Sequence, residues 1–226
     1  ISVVAVSLKK KEVEVGGAIH QADAMIVVSH FKGHALGGFG GAIKNLGMGG
    51  VTKKTKLEQH RLIDLVIDED ACQACGACVD ACWFDLPRIE NDCVVIDSPE
   101  CMRCPICSTT CPEGAIRLEN REKLAQGLAV AAKGVLNTFA PGKVACVNFA
   151  TDVSTVCDCA PIPGEMMGQH IGIFASQSPL SIDAAGLEFI DYKRLNALHN
   201  QDCHEQVRTL ARIQEPGSLT PEVVRT

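Results

Sequence analysis

The chain has 226 residues, 46% hydrophobic and only 4% aromatic, enough for one medium domain or two small ones whose core Ala, Val, Ile and Leu must fill. Its formal net charge of −6 argues against nucleic acid or an anionic membrane as a main partner. No apolar run reaches the roughly 18–20 residues of a membrane span. No signal-peptide pattern follows Ile1, so a cytoplasmic location is expected, with the native N-terminus lying upstream of Ile1.

In chain order, Lys9–Lys11 form a first short basic run, expected to be a solvated face. Ala24–Ser29 is a buried-strand pattern. Eight glycines then lie between Gly33 and Gly50, in HFKGHALGGFGGAIKNLGMGG. Glycine at this density allows close approach or positive φ. A loop at the carboxyl end of a parallel strand is the usual ligand position in such sheets. The segment is neither a Walker A motif nor GxGxxG. Loop 33–50 is therefore a candidate anion or cofactor site, with tight packing against the neighbouring cysteine-rich segment as the plainer reading. Lys53, Lys54 and Lys56 form a second basic run, placed to steer a small anionic substrate toward it.

Residues 62–119 have a different character. Cys72, Cys75, Cys78 and Cys82 follow Cys-x2-Cys-x2-Cys-x3-Cys; Cys101, Cys104, Cys107 and Cys111 repeat it, with Pro112 after. This is the two-cluster bacterial ferredoxin spacing. Three cysteines of one tight loop reach three corners of one cubane, and the fourth points to the other. The expected sets are Cys72, Cys75, Cys78 and Cys111 for one [4Fe–4S] cluster, and Cys101, Cys104, Cys107 and Cys82 for the second. Each ligand recurs 29 residues on, and so do the flanks: Ile67-Asp68 matches Ile96-Asp97, and Arg88-Ile89-Glu90-Asn91 matches Arg117-Leu118-Glu119-Asn120. Each half reads as short strand, ligand loop, helical turn and short strand. Zinc also takes four thiolates, but usually from two separated Cys-x2-Cys pairs. A disulfide scaffold would be small, secreted and loop-rich. The compartment is then reducing, and anaerobic if low-potential clusters are exposed. Trp83-Phe84 stand where the second half has Pro112-Glu113 and would exclude water, unless Trp83 simply packs the module. Pro105 stands in place of Gly76 and removes one N–H from the second loop. Both changes disfavour an extra electron, so low potentials are expected.

Beyond the module, Arg121–Phe139 has helical spacing and stops at Pro141-Gly142. Val144–Phe149 and Ile171–Ala175 read as strands, and Ser181–Arg194 as a helix. Strands alternating with helices predict an α/β domain with a mostly parallel sheet over residues 1–61 and 120–226, interrupted by the ferredoxin-like module at 62–119, α+β overall. Of the five remaining cysteines, Cys93 is expected to be a buried thiol on the return strand and Cys146 a core residue. Cys157 and Cys159 on an extended segment would point to one face. They form a candidate extra metal site or redox pair, with His30, His34 and His60 as co-ligands; packing as small buried residues is the alternative. His20, His170, His199 and His204 have no partner pattern and default to surface or core.

With HFKGHALGGFGGAIKNLGMGG, Lys56-Leu57-Glu58-Gln59-His60, the double-cluster insert, Cys157-Asp158-Cys159 and the run Ile171-Gly-Ile-Phe-Ala-Ser-Gln-Ser-Pro-Leu-Ser-Ile-Asp-Ala-Ala, the chain resembles the iron–sulfur center proteins of the domain-of-unknown-function 362 family over most of residues 20–195. The resemblance strengthens the fold and cofactor expectations and adds little about substrate. The function expected is electron transfer by two low-potential [4Fe–4S] clusters, to a redox partner protein or to a site on the α/β domain. One alternative is a reductive enzyme with loop 33–50 as substrate site and His30, His34 or Lys44 as proton donor. The other is a non-catalytic cluster scaffold. About three quarters of the chain lies outside the module, more than a bare carrier needs.

Overall fold

The structure, a computed structural model, describes residues 3–5, 12–159, 164–168 and 170–214. The basic run Lys9–Lys11 lies outside the described residues. The strands are β1 (Val3–Ala5), β2 (Glu12–Glu14), β3 (Met25–His30), β4 (Lys32–His34), β5 (Gly38–Gly40), β6 (Asp64–Ile67), β7 (Arg88–Glu90), β8 (Cys93–Val95), β9 (Ile116–Glu119), β10 (Val144–Ala150) and β11 (Gly172–Ser176). The helices are α1 (Gly17–His20), α2 (Ala42–Lys44), α3 (Lys53–His60), α4 (Ala77–Ala81), α5 (Ile106–Thr110), α6 (Glu122–Leu136), α7 (Pro179–Leu187), α8 (Tyr192–His199) and α9 (Glu205–Ile213). Asn45–Gly49 continues α2 as a wider π-type turn.

The three strands read from apolar runs form one sheet, in the order β11-β10-β3. β3 pairs parallel with β10, from Met25↔Val144 to Phe149↔His30. β11 pairs antiparallel with β10. The fold is α/β as expected, but the sheet is mixed rather than mostly parallel. Among the described residues between β10 and β11 there is no helix of the kind a parallel crossover uses, in keeping with the antiparallel pairing. Alternation along β3 buries Val27 and Ser29 and exposes Ile26 and Val28. The buried face is covered by α7 and α2, and Phe31, Ile43, Cys146, Ile182 and Leu187 belong to the core on that side.

α6 buries Leu124, Leu128 and Val135 together with Ala125, Ala129 and Ala132, whose small side chains let α9 and the π-turn lie close. The stretch Ser181–Arg194 is two helices, not one. Ser178 caps α7, accepting from the Ser181 N–H, and Asp191 starts α8 by accepting from the Arg194 N–H. That second cap ends the continuous helix the apolar spacing had predicted.

In the cysteine-rich segment β6 pairs antiparallel with β9 (Asp64↔Glu119) and β7 with β8 (Arg88↔Val95). The first strand of one half thus pairs with the last strand of the other. A small cluster of Cys78, Val94 and Ile116 lies between the two sheets.

Candidate functional site

The 29-residue repeat is conformational as well as chemical. Ala74 (φ 50) matches Arg103 (φ 49), Asp85 (φ 51) matches Gly114 (φ 63), and Asn91 (φ 49) matches Asn120 (φ 52). These are left-handed positions that L-residues rarely adopt, so the shared pattern marks two copies of one loop. The match breaks where Gly76 (φ 80) faces Pro105 (φ −76). At the ends of α4 and α5, Cys82 and Cys111 both leave the helix in extended conformation.

The strand pairing carries Cys111 back to the first loop. One cavity is lined by Cys72, Cys75, Cys78 and Cys111, together with Ile89, Val94 and Ile116. Burial pushes the Cys78 thiol up, and Cys111 and Cys72 beside it add to the rise. Burial likewise raises Cys104, with Cys101 and Cys82 adding, and pushes Cys107 up to about 11, with Cys104 and Cys101 adding. Each loop therefore has the fourth cysteine of the other half as a neighbour. Two expectations fail here. Trp83 is 60% exposed and Phe84 54%, so they neither pack the module nor exclude water from it. Cys93 is half-buried, its thiol donating to the Val94 carbonyl at 3.7 Å.

The glycine-rich segment is an ordered hairpin, β4 with β5, followed by α2 and the π-turn. Its glycines admit the chain's own groups. A Cβ on Gly33 would lie 2.1 Å from the Thr155 carbonyl oxygen, and one on Gly41 2.4 Å from Asp183 Oδ1. The Ala42 and Ile43 N–H groups donate to the fully buried Asp183 at 2.8 and 2.7 Å, and Asn148 donates to it at 2.7 Å. The backbone donors opening α2 thus already hold a carboxylate, one that no sequence pattern had signalled.

Because β3 and β10 run parallel, the segments leaving their carboxyl ends share an edge. From one side come β4 with Lys32 and His34, then α2 with Lys44. From the other comes the turn at residues 151–159. It is braced by the Gly33 N–H on the Ser154 carbonyl (2.8 Å) and the Thr155 N–H on the Glu165 carbonyl (2.8 Å). Cys157 and Cys159 sit in this turn rather than on an extended segment, and the Cys159 N–H donates to Cys157 Sγ at 3.3 Å. The turn still brings both sulfurs to one side. The donor atoms of His34, Cys157 and Cys159 all lie within 4.8 Å of one another, near enough to be a candidate for holding a metal ion. His34 and Cys157 are buried and Cys159 is exposed. Lys44 Nζ is 3.8 Å from Cys157 Sγ, and His34 Nε2 3.9 Å from Cys159 Sγ.

The hydrogen bond from the Cys159 thiol, followed by the charges of Lys44 and Lys32, brings the Cys157 thiol down to about 5 against the effect of burial; that same hydrogen bond raises Cys159. Burial, then Lys44, holds His34 well below the ordinary histidine range. Of the three expected co-ligands only His34 joins. His30 instead braces the turn, with Nδ1 3.0 Å from Asp158 Oδ2 and Nε2 2.8 Å from the Thr151 carbonyl; Lys32 Nζ is 2.7 Å from the same carboxylate. His60 is brought down to about 4 by burial and then Lys44, against a smaller upward effect of the Met102 backbone in the second cysteine loop. His199 reaches the Thr155 carbonyl at 2.6 Å, His204 stacks edge-on against Tyr192, and His20 and His170 are exposed. Cys146 and Cys203 are fully buried core thiols.

Fold and site together define a mixed α/β protein with thirteen cysteines and a His/Cys group close enough to be a candidate metal site, and among the described residues no helix is long and apolar enough to cross a membrane. The chain belongs to the family described as Domain of unknown function (DUF362), whose model matches residues 2–188. No curated protein and no solved structure matches it.

Proposed function

We propose that this is an iron–sulfur protein that carries two [4Fe–4S] clusters for electron transfer. Cys72, Cys75, Cys78 and Cys111 hold one cluster; Cys101, Cys104, Cys107 and Cys82 hold the second, in a ferredoxin-type module over residues 62–119. Residues 1–61 and 120–226 form the host domain. The observation that carries this reading is the cavity lined by Cys72, Cys75, Cys78 and Cys111, three residues of one repeat and the fourth of the other. Four thiols converging on one cavity fit a cubane. Each cluster, when bound, accepts or gives one electron. The residues around it set the potential: Pro105 withholds an N–H that Gly76 has, which favours a low potential at the second cluster. Exposed Trp83 and Phe84 lend no support to that expectation at either cluster.

The module is docked by its second loop. Arg61 of the host domain donates to the Pro99 carbonyl, and Arg103 donates to the Ile63 carbonyl where the chain enters the module. The second ligand set therefore faces the host domain. Cys75 of the first set is exposed, which marks that side for a redox partner protein. Anaerobic purification with iron and sulfide quantification and EPR tests the reading. About eight irons per chain are expected from two cubanes, and Cys111→Ser is expected to lose the same cluster signal as Cys72→Ser. Zinc in place of iron, or different losses in the two variants, would refute the assignment.

A further inference from the structure

We propose that Cys157 and Cys159 form a redox-active dithiol–disulfide pair, a two-electron site on the host domain beside the second cysteine loop. The pair stands on its own geometry; only the source of its electrons rests on the reading above.

The tautomer of His34 decides against a metal. A histidine that binds a metal through one ring nitrogen donates its proton from the other. At His34 the Leu36 and Gly37 N–H groups donate to Nδ1, at 3.3 and 3.0 Å. Nδ1 is thus an acceptor, and the neutral ring carries its proton on Nε2. That nitrogen faces Cys159 Sγ with an N–H, not with a lone pair. A flipped ring would set a carbon against two backbone donors. Two sulfurs remain as ligands, too few for the four-coordinate site these residue types usually build.

The same contacts suit a thiol pair. Cys159 is one residue from Cys157 in a tight turn, its sulfur within 4.8 Å, so small side-chain rotations span the gap to a bond of about 2 Å. Lys44 on one side and the Cys159 amide on the other hold a thiolate at Cys157. Asp158, between the cysteines, is turned outward to Lys32 and His30, which keeps its carboxylate off the sulfurs. Cys159 is the exposed sulfur, so an incoming thiolate reaches it first and Cys157, the better leaving group, departs as the thiolate.

The electron balance is explicit. On oxidation by the disulfide of a partner dithiol, the Cys157 thiolate attacks one sulfur of that disulfide and expels the other as a thiolate. Cys159 then gives up its proton, attacks Cys157 and expels the second sulfur, so the Cys157–Cys159 bond forms while the partner's S–S bond breaks and takes the two electrons and the proton. On reduction the S–S bond takes two electrons, one from each of two reduced [4Fe–4S] clusters, and breaks. One proton from solvent goes to Cys159, and the negative charge returns to Cys157 beside Lys44. His60 lies between the two sites: it is lowered by Lys44 on one side and raised by the backbone of Met102, between Cys101 and Cys104, on the other, and it acts in turn on His34.

The test uses the whole chain, handled anaerobically. In the first arm the protein is equilibrated in dithiothreitol buffers of graded oxidised-to-reduced ratio, quenched with N-ethylmaleimide and mapped by mass spectrometry. Cys157 and Cys159 should change from both labelled to neither in one two-electron transition. Labelling of both in every buffer overturns the pair, as does protection that a chelator abolishes, which would mark a metal. In the second arm, dithionite-reduced protein is mixed with its disulfide form. One disulfide should open for every two cluster electrons lost, and Cys157→Ser/Cys159→Ser should leave the clusters reduced. If iron analysis finds no clusters, the electron-transfer reading fails while the dithiothreitol titration still decides the pair. Clusters that stay reduced beside an intact disulfide overturn the link between them.

Discussion

Replacing Lys44 with Met isolates what one ammonium contributes to the Cys157 thiolate. The substitution keeps chain length and removes the charge. At the observed 3.8 Å, two unit charges interact by about 1 kcal/mol in bulk water and about 4 kcal/mol at an effective dielectric near 20. Cys157 is buried and Lys44 half-buried, so about 2 kcal/mol is the working figure, equal to roughly 1.5 pKa units. The other groups facing the sulfur keep their largest contributions. Lys32 keeps its contact with Asp158, whose carboxyl the Lys32 and His30 hydrogen bonds hold low despite its burial penalty. His34 loses the Lys44 contribution in the variant but keeps the larger one, burial, which still holds it below the ordinary histidine range. The Cys159 thiol continues to donate to Cys157, the largest of the effects that lower it.

The assay is the rate of iodoacetamide alkylation at Cys157, resolved by peptide mapping, from pH 4 to pH 9. The thiolate midpoint should move from about 5 to between about 6 and 7, and the slow limb should extend to higher pH accordingly. Lys44→Arg should restore most of the wild-type profile, because charge and approximate reach are kept. Lys32→Met should move the midpoint less, since that charge is spent on Asp158. An unmoved midpoint in Lys44→Met, or Lys44→Arg behaving like Met, would refute the assignment of the ammonium as the partner of Cys157.

Gly33→Ala sets a Cβ 2.1 Å from the Thr155 carbonyl oxygen and 2.7 Å from Leu195 Cδ2. It should cost about 1–3 kcal/mol in thermal unfolding and weaken the coupled labelling of Cys157 and Cys159, because the cysteine turn must retreat. Asp183→Ala leaves two buried N–H groups and the Asn148 amide without their acceptor. A loss of about 3–5 kcal/mol is expected in chemical denaturation, with Asp183→Asn recovering part of it. Removal of iron by an anaerobic chelator should open the module: its own buried apolar cluster is only Cys78, Val94 and Ile116. Hydrogen exchange should rise across residues 62–119 while β10 and α6 stay protected; uniform protection would count against metal-dependent folding of the module.

The cysteine-rich repeat was legible because its information is local. Ligand spacing and the 29-residue repeat sit within one short segment, and the structure repeats them in backbone conformation, Ala74 with Arg103 and Asn91 with Asn120. The host site was half legible for a physical reason. Glycine-rich residues after β3 pointed to the carboxyl end of a parallel strand, and that edge is where His34, Lys44 and the cysteine turn meet. What the sequence could not carry was the partner of each glycine. Gly33 and Gly41 read as room for a ligand, yet the atoms that fill the room are Thr155 and Asp183, more than 100 residues away. The same distance hid the tautomer of His34, which depends on two backbone donors fixed by the turn after β4. Cys157 and Cys159 were therefore visible as a pair before anything marked which chemistry they do. A lone pair on His34 Nε2 would make the group a metal site. An N–H there offers Cys159 a donor instead of a ligand and leaves the two sulfurs to each other, and the local fold of residues 34–37 supplies the N–H.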